Sequence, residues 1–243
     1  AVEITLNMNG KRITYTGDNQ GVLLIRAYTT VIVNGSGELI NNPSEGSTSL
    51  FSTNSNAKLI IENGTFSGAE IISYTSYADT ISVTGGTFDI DPAAQKTTGS
   101  SPKDFSAVAT GYMSVPNDPG APTSWTVQKD PSAKELAEVD GTSYYSFADA
   151  LAVVNAASTQ KTIKILEDFT VDTLGQLNEN KSLLLDLNGK TITITSDIAI
   201  KLAKSKEMIL DDTSDEKTGK ILGTGGISSN GFIYVNAGSA TFT

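Results

Sequence analysis

The chain states one pattern twice, 179 residues apart (Asn9 to Asn188), and that repetition narrows the folds open to it. Ile4-Thr5-Leu6-Asn7-Met8-Asn9-Gly10-Lys11-Arg12-Ile13-Thr14-Tyr15-Thr16 returns as Leu183-Leu184-Leu185-Asp186-Leu187-Asn188-Gly189-Lys190-Thr191-Ile192-Thr193-Ile194-Thr195. Farther along, Phe51-Ser52-Thr53-Asn54-Ser55-Asn56 returns loosely as Ile233-Tyr234-Val235-Asn236-Ala237-Gly238. Similarity at a fixed period marks a repeat architecture, in which each unit is built to pack on a copy of itself.

A finer echo lies inside the first copy. Leu59-Ile60-Ile61-Glu62-Asn63-Gly64-Thr65-Phe66 matches Ile81-Ser82-Val83-Thr84-Gly85-Gly86-Thr87-Phe88, with Val31-Ile32-Val33-Asn34-Gly35 as a looser third member. Apolar residues alternate at period two, so each run is a strand with one buried face. Each run then meets an Asn-Gly or Gly-Gly pair, residues that tolerate positive φ at a sharp corner. One such unit cannot bury its apolar stripe alone, whereas stacked copies can. The pattern therefore predicts an all-β chain, a right-handed parallel β-helix. A hairpin meander is the competitor, because Asn-Gly also makes type I′ turns. Against it, several runs end at turns too loose for two-residue hairpins. Asn9, Asn34, Asn63 and Asn188 are expected at corners, hydrogen-bonding one above another between coils.

Composition sets outer limits. A formal charge of −10 at pH 7 disfavours a nucleic-acid backbone or an anionic membrane surface as partner. There is no cysteine, hence no disulfide, thiolate metal site or cysteine nucleophile, and no histidine. No apolar run reaches the length of a membrane span. The chain opens without a basic-then-apolar leader, so a secreted parent would carry that segment elsewhere.

Two partial modules are expected. Residues 1–128 form the first, ending in a terminal β-hairpin built from 105–112 and 124–127 around a proline-rich loop. Residues 129–138 read as linker, and 139–243 as the second module. That module opens on a short helix near 146–156. Ser146 and Asp149 approximate a capping box there, and Phe147, Ala150, Leu151 and Val154 share one face. A solenoid end exposes unpaired backbone and apolar side chains, and this helix is placed to cover one. The first module shows no such helix and the second no hairpin, so open coil ends are expected to pair, within the chain or head to tail between chains.

Several of these segments carry a family resemblance: Leu185-Asp186-Leu187-Asn188-Gly189-Lys190-Thr191-Ile192-Thr193, Gly85-Gly86-Thr87-Phe88, Val108-Ala109-Thr110-Gly111-Tyr112 with Trp125-Thr126-Val127, and Tyr145-Ser146-Phe147-Ala148-Asp149-Ala150. Together they resemble repeat modules of large secreted or cell-wall-attached proteins of gut Firmicutes, of the pectin-lyase-like superfamily. The resemblance implies a right-handed parallel β-helix on the bacterial cell surface or cell wall. It also implies a non-catalytic stalk, spacer or adhesin, with polysaccharide or a host surface glycan or protein as partner.

The alternative is a carbohydrate-active enzyme, a polysaccharide lyase or glycoside hydrolase on the same scaffold. Hydrolases of this kind need paired aspartates with a supporting histidine, which is missing here. Lyases of the family resemble one another in an acidic Ca²⁺ site with a catalytic arginine. The two arginines, Arg12 and Arg26, lack flanking acidic residues. No cofactor is expected, apart from a structural Ca²⁺ that Asp211, Asp212, Asp215 and Glu216 could hold in the densest acidic run. The competing expectation for that run is a solvated turn. For a glycan, Tyr74, Tyr77, Tyr144 and Tyr145 are the candidate stacking rings, and alternation predicts that one of Tyr144 and Tyr145 faces solvent.

Overall fold

In a computed structural model, residues 2–16, 22–42, 49–53, 56–68, 81–96, 104–205, 207–224, 233–235 and 240–242 are described. The chain forms two compact units, 1–132 and 133–243. The boundary falls inside the stretch expected to be a linker, although that stretch also donates residues to strands on both sides.

In the first unit, one coil contains β1 (Val2–Asn7), β2 (Arg12–Tyr15) and β3 (Leu23–Ile25). The next contains β4 (Thr29–Asn34), β5 (Glu38–Asn41) and β6 (Phe51–Thr53). Two shorter coils follow, β7 (Lys58–Ile61) with β8 (Thr65–Ser67), and β9 (Ile81–Val83) with β10 (Gly86–Phe88). Strand β1 pairs with β4, β4 with β7 and β7 with β9, all parallel. Leu59 lies beside Ile81 in parallel register, so the hairpin alternative is excluded. The winding stacks like on like. Ile4, Val31, Leu59 and Ile81 form one inward row, and Leu6, Val33, Ile61 and Val83 another. Val33, Leu59, Ile61 and Val83 are fully buried, and burying such a side chain stabilises by roughly 1.5–3 kcal/mol. On the neighbouring face Leu39, Phe66 and Phe88 align, with the two phenylalanine rings stacked at 4.8 Å.

This unit closes with β11 (Gln95–Lys96), β12 (Asp104–Phe105), β13 (Tyr112–Pro116) and β14 (Trp125–Lys129). The hairpin is β13 with β14, and β14 pairs antiparallel with β10. Its first strand therefore starts at Tyr112, later than the 105–112 segment suggested. Phe105 instead pairs with Gln95, and Val108 bridges Val83, which spends 105–108 on the fourth coil. Asn117 holds the proline-rich loop together: its Oδ1 accepts from the Thr123 and Ser124 backbone N–H groups, both at 3.0 Å.

The second unit opens on an antiparallel pair, β15 (Ala137–Val139) and β16 (Thr142–Tyr144), followed by α1 (Phe147–Ala156). Its coils are β17 (Lys161–Ile165), β18 (Phe169–Val171) and β19 (Gly175–Leu177), then β20 (Ser182–Asp186), β21 (Thr191–Ile194) and β22 (Ile200–Leu202). Then come β23 (Glu207–Asp211), β24 (Lys220–Gly223) and β25 (Ile233–Val235), with β26 (Ala240–Phe242) beginning another. Three parallel ladders run through these coils. Together the two units carry about seven turns of a β-solenoid.

Helix α1 behaves as its sequence implies. Ser146 is the N-cap, its Oγ accepting from the Asp149 N–H at 3.1 Å and donating to the Asp149 carboxylate at 2.7 Å. Phe147, Ala150, Leu151 and Val154 are buried in one core with Ile163, Leu177 and Leu185.

Corners show why Asn-Gly recurs. Asn9 and Asn188 sit at φ +44° and +48°, each followed by a glycine at φ +71° or +74°, a left-handed pair that asparagine and glycine adopt at low cost. In the Gly85-Gly86 pair only Gly86 needs positive φ, at +107°. Gly85 is required for space, since a Cβ there would lie 2.2 Å from the Glu62 carbonyl oxygen. The expected asparagine ladder does not form among the described residues. Asn34 lies in the row of Asn7 rather than of Asn9, so the side chains find other partners. Asn188 donates to the Ile165 carbonyl at 2.9 Å, and Asn63 accepts from its neighbour Gly64.

Candidate functional site

Of the acidic run, Asp212 is built into a corner. It is 8 % exposed, and donors from the turn before β21 and from its own loop between β23 and β24 surround it. Oδ1 accepts from the Gly189 N–H at 2.8 Å, the Ser214 N–H at 3.0 Å and the Ser214 hydroxyl at 2.7 Å, while Oδ2 accepts from the Gly219 N–H at 2.6 Å. Burial alone would push this carboxyl up, but the hydrogen bonds from Ser214, Gly219 and Gly189 outweigh it and bring it down to about 2. One coil earlier Asp186, also buried, accepts from the Asn188 N–H at 2.9 Å and from Thr213 through its N–H at 2.9 Å and hydroxyl at 2.7 Å. These carboxylates bind one coil to the next.

That use is at odds with an ion cage. Ca²⁺ takes six to eight oxygen ligands, and the oxygens of Asp212 already face N–H and O–H donors. Asp211 accepts from the Asp212 N–H at 2.8 Å. Asp215 and Glu216 are exposed. Among the described residues no three carboxylates converge on a common point. Arg12 pairs with Glu38 at 2.5 Å across adjacent coils, at the surface.

The tyrosines are less organised than a stacking platform requires. Tyr74 and Tyr77 lie outside the described residues. Tyr144 ends β16 and packs against the core, and Tyr145 follows it, also half-buried. Neither of the pair is exposed, against the alternation that placed one of them in solvent: Tyr144 packs on the cluster that holds Ala137 of β15 and Phe147 of α1. Among the described residues the exposed ring is Tyr28, at 68 % and φ +61°, in the turn before β4. Sequence periodicity gives no sign of it.

A recess on the second unit draws on three segments. Its volume is about 410 Å³, and it is walled by the loop after α1, the turn before β20 and the first residue of β23. Ser158 and Gln160 come from the loop, Asn180 and Lys181 from the turn, Ser182 from β20 and Glu207 from β23. Ser182 and Glu207 are in register on neighbouring coils. The Lys161–Leu183 register carries the same row back to Gln160, giving a spacing of roughly 4.8 Å per coil. Lys181 is anchored by a 2.7 Å bond from Nζ to the Ala157 carbonyl at the C-cap of α1. Asn180 sits at φ +60°, its N–H bonded to the Lys204 carbonyl. Two hollows on the first unit, of about 490 and 510 Å³, are different in kind. Arg12 and Glu38 satisfy each other in one, and Lys96 faces Asp104 in the other.

Sequence reasoning missed this recess for a physical reason. Its polar residues are spread over three coils, before or at the start of β17, β20 and β23, and no local motif unites them. The one available signal was their recurrence just before successive apolar runs. Comparison of the chain with protein-family models, curated proteins and solved structures returns no match.

Proposed function

We propose that this chain is a non-catalytic module of a large extracellular surface protein, a stalk, spacer or adhesin. The family it resembles would place it among pectin-lyase-like repeat modules on the cell surface or cell wall of gut Firmicutes. Right-handed winding is the sense that connections between parallel strands adopt. The observation that carries the proposal is the fate of the polar groups at repeated corners. Asp186, Asn188 and Asp212 are engaged in coil-to-coil hydrogen bonds, so these polar groups serve the stacking. A solenoid also lengthens by adding coils without redesign, which suits a spacer. The role needs no cofactor. Partners would be a polysaccharide or a host surface glycan or protein, and further copies joined head to tail. No helix among the described residues is long and apolar enough to cross a membrane.

Incubating the chain with a panel of acidic and neutral polysaccharides tests the non-catalytic reading. Neither new reducing ends nor unsaturated products should accumulate. Turnover of any polymer, lost on substitution of a carboxylate, would overturn it in favour of a lyase or hydrolase.

A further inference from the structure

We infer that the recess formed by Ser158, Gln160, Asn180, Lys181, Ser182 and Glu207 binds a single pyranose residue of a glycan. Its size of about 410 Å³ lies within the roughly 300–1,000 Å³ of small-molecule sites. Its lining is polar, which argues against an apolar ligand. Glu207 offsets the charge of Lys181, which argues against a phosphate or a second carboxylate as the main recognition element.

What the lining does offer is an alternation of donors and acceptors suited to vicinal hydroxyls. A hydroxyl donates one hydrogen bond and accepts others. Glu207 accepts only, Lys181 donates only, and the Gln160 and Asn180 amides do both. The side chains of Ser158, Gln160, Asn180, Ser182 and Glu207 have no hydrogen bond or ion pair among the described residues, in contrast to the occupied carboxylates of the acidic corner. Lys181 uses one of its three N–H donors on the Ala157 carbonyl. That bond holds the ammonium at the rim with two donors left for a ligand. The coil register spaces the Ser182 and Glu207 groups before any ligand arrives, which reduces the ordering cost of binding. No aromatic ring lines the recess, so stacking on a sugar face is absent and the dissociation constant should be on the order of 1 mM.

The inference does not rest on the stalk reading. Catalytic turnover would remove that reading without touching this one, and a failed titration here would leave it standing. The test is a ¹H–¹⁵N titration of the full chain with free galactose, N-acetylglucosamine and glucuronic acid, following backbone and side-chain amide signals. Saturable shifts should appear at the Gln160 and Asn180 side-chain amides for at least one sugar. Glu207→Ala, and separately Asn180→Gly, should weaken that affinity about tenfold. The glycine keeps the left-handed turn while deleting the amide. Asp215→Ala, distant on the acidic run, should change nothing. Thermal melts of the variants should match the parent. Three results would each refute the site: no saturable shift with any of the three sugars, shifts that persist unchanged in both recess variants, or equal shifts with glycerol.

Discussion

Asp212 shows what a single side chain does in a stacked coil. Its carboxylate collects N–H donors from residues 189, 214 and 219, and so ties a turn of one coil to the loop of the next. Asn in its place would turn an NH₂ group toward a donor. Asp212→Asn should therefore destabilise the fold by roughly 1–3 kcal/mol at neutral pH, read from denaturant midpoints. The pH dependence has a definite sign. The folded pKa of about 2 lies below the ordinary 3.8, so ionisation of Asp212 contributes stability above pH ~4. That contribution is lost as pH falls through about 2. The gap between the parent and Asp212→Asn should accordingly narrow between pH ~4 and pH ~2. A constant gap would mean the donors act on the carboxyl group irrespective of its charge.

Among the elements, α1 best illustrates how a short segment gains stability from its setting. Ten residues make a marginal helix in isolation. Here the Ser146 cap satisfies an N-terminal donor, and Phe147, Leu151 and Val154 enter the core of the second unit. Ser146→Ala should cost about 1 kcal/mol, seen as a lower denaturation midpoint with an unchanged slope. Capping box and amphipathic spacing were both legible in the residues. The closing hairpin was legible only in part. Tyr112 and Trp125 identify its strands, but the allotment of Phe105 and Val108 to the fourth coil depends on contacts with Gln95 and Val83.

At the scale of the whole molecule, a solenoid leaves its terminal strands as edges. In the first unit β1, β2 and β3 are edge strands of their sheets, and Val2 and Ile4 are 61 % and 51 % exposed. Ile4 belongs to an inward row whose other members are buried or nearly so. In the second unit β24, β25 and β26 are edges, with Leu222 and Val235 exposed. Edges of this kind pair readily. Sedimentation equilibrium should show mass rising with concentration, and Ile4→Lys should restore the monomer. A parent that stays monomeric at high concentration would end the head-to-tail proposal.

The residues alone determined the coil. Period-two alternation assigns each strand a buried face, Asn-Gly pairs mark corners, and the echo of Leu59–Phe66 in Ile81–Phe88 lays like strands on like strands. These are properties of neighbouring positions, and backbone geometry converts them directly into direction and facing. Tertiary structure decided which polar groups are consumed and which stay available. Asp212 is occupied because Gly189, on the previous coil, comes within 2.8 Å. Glu207 remains available because loop and turn recede around it to leave a recess. Both outcomes depend on how far each connecting loop carries the chain before the next strand begins, and such distances arise only once the coils have stacked.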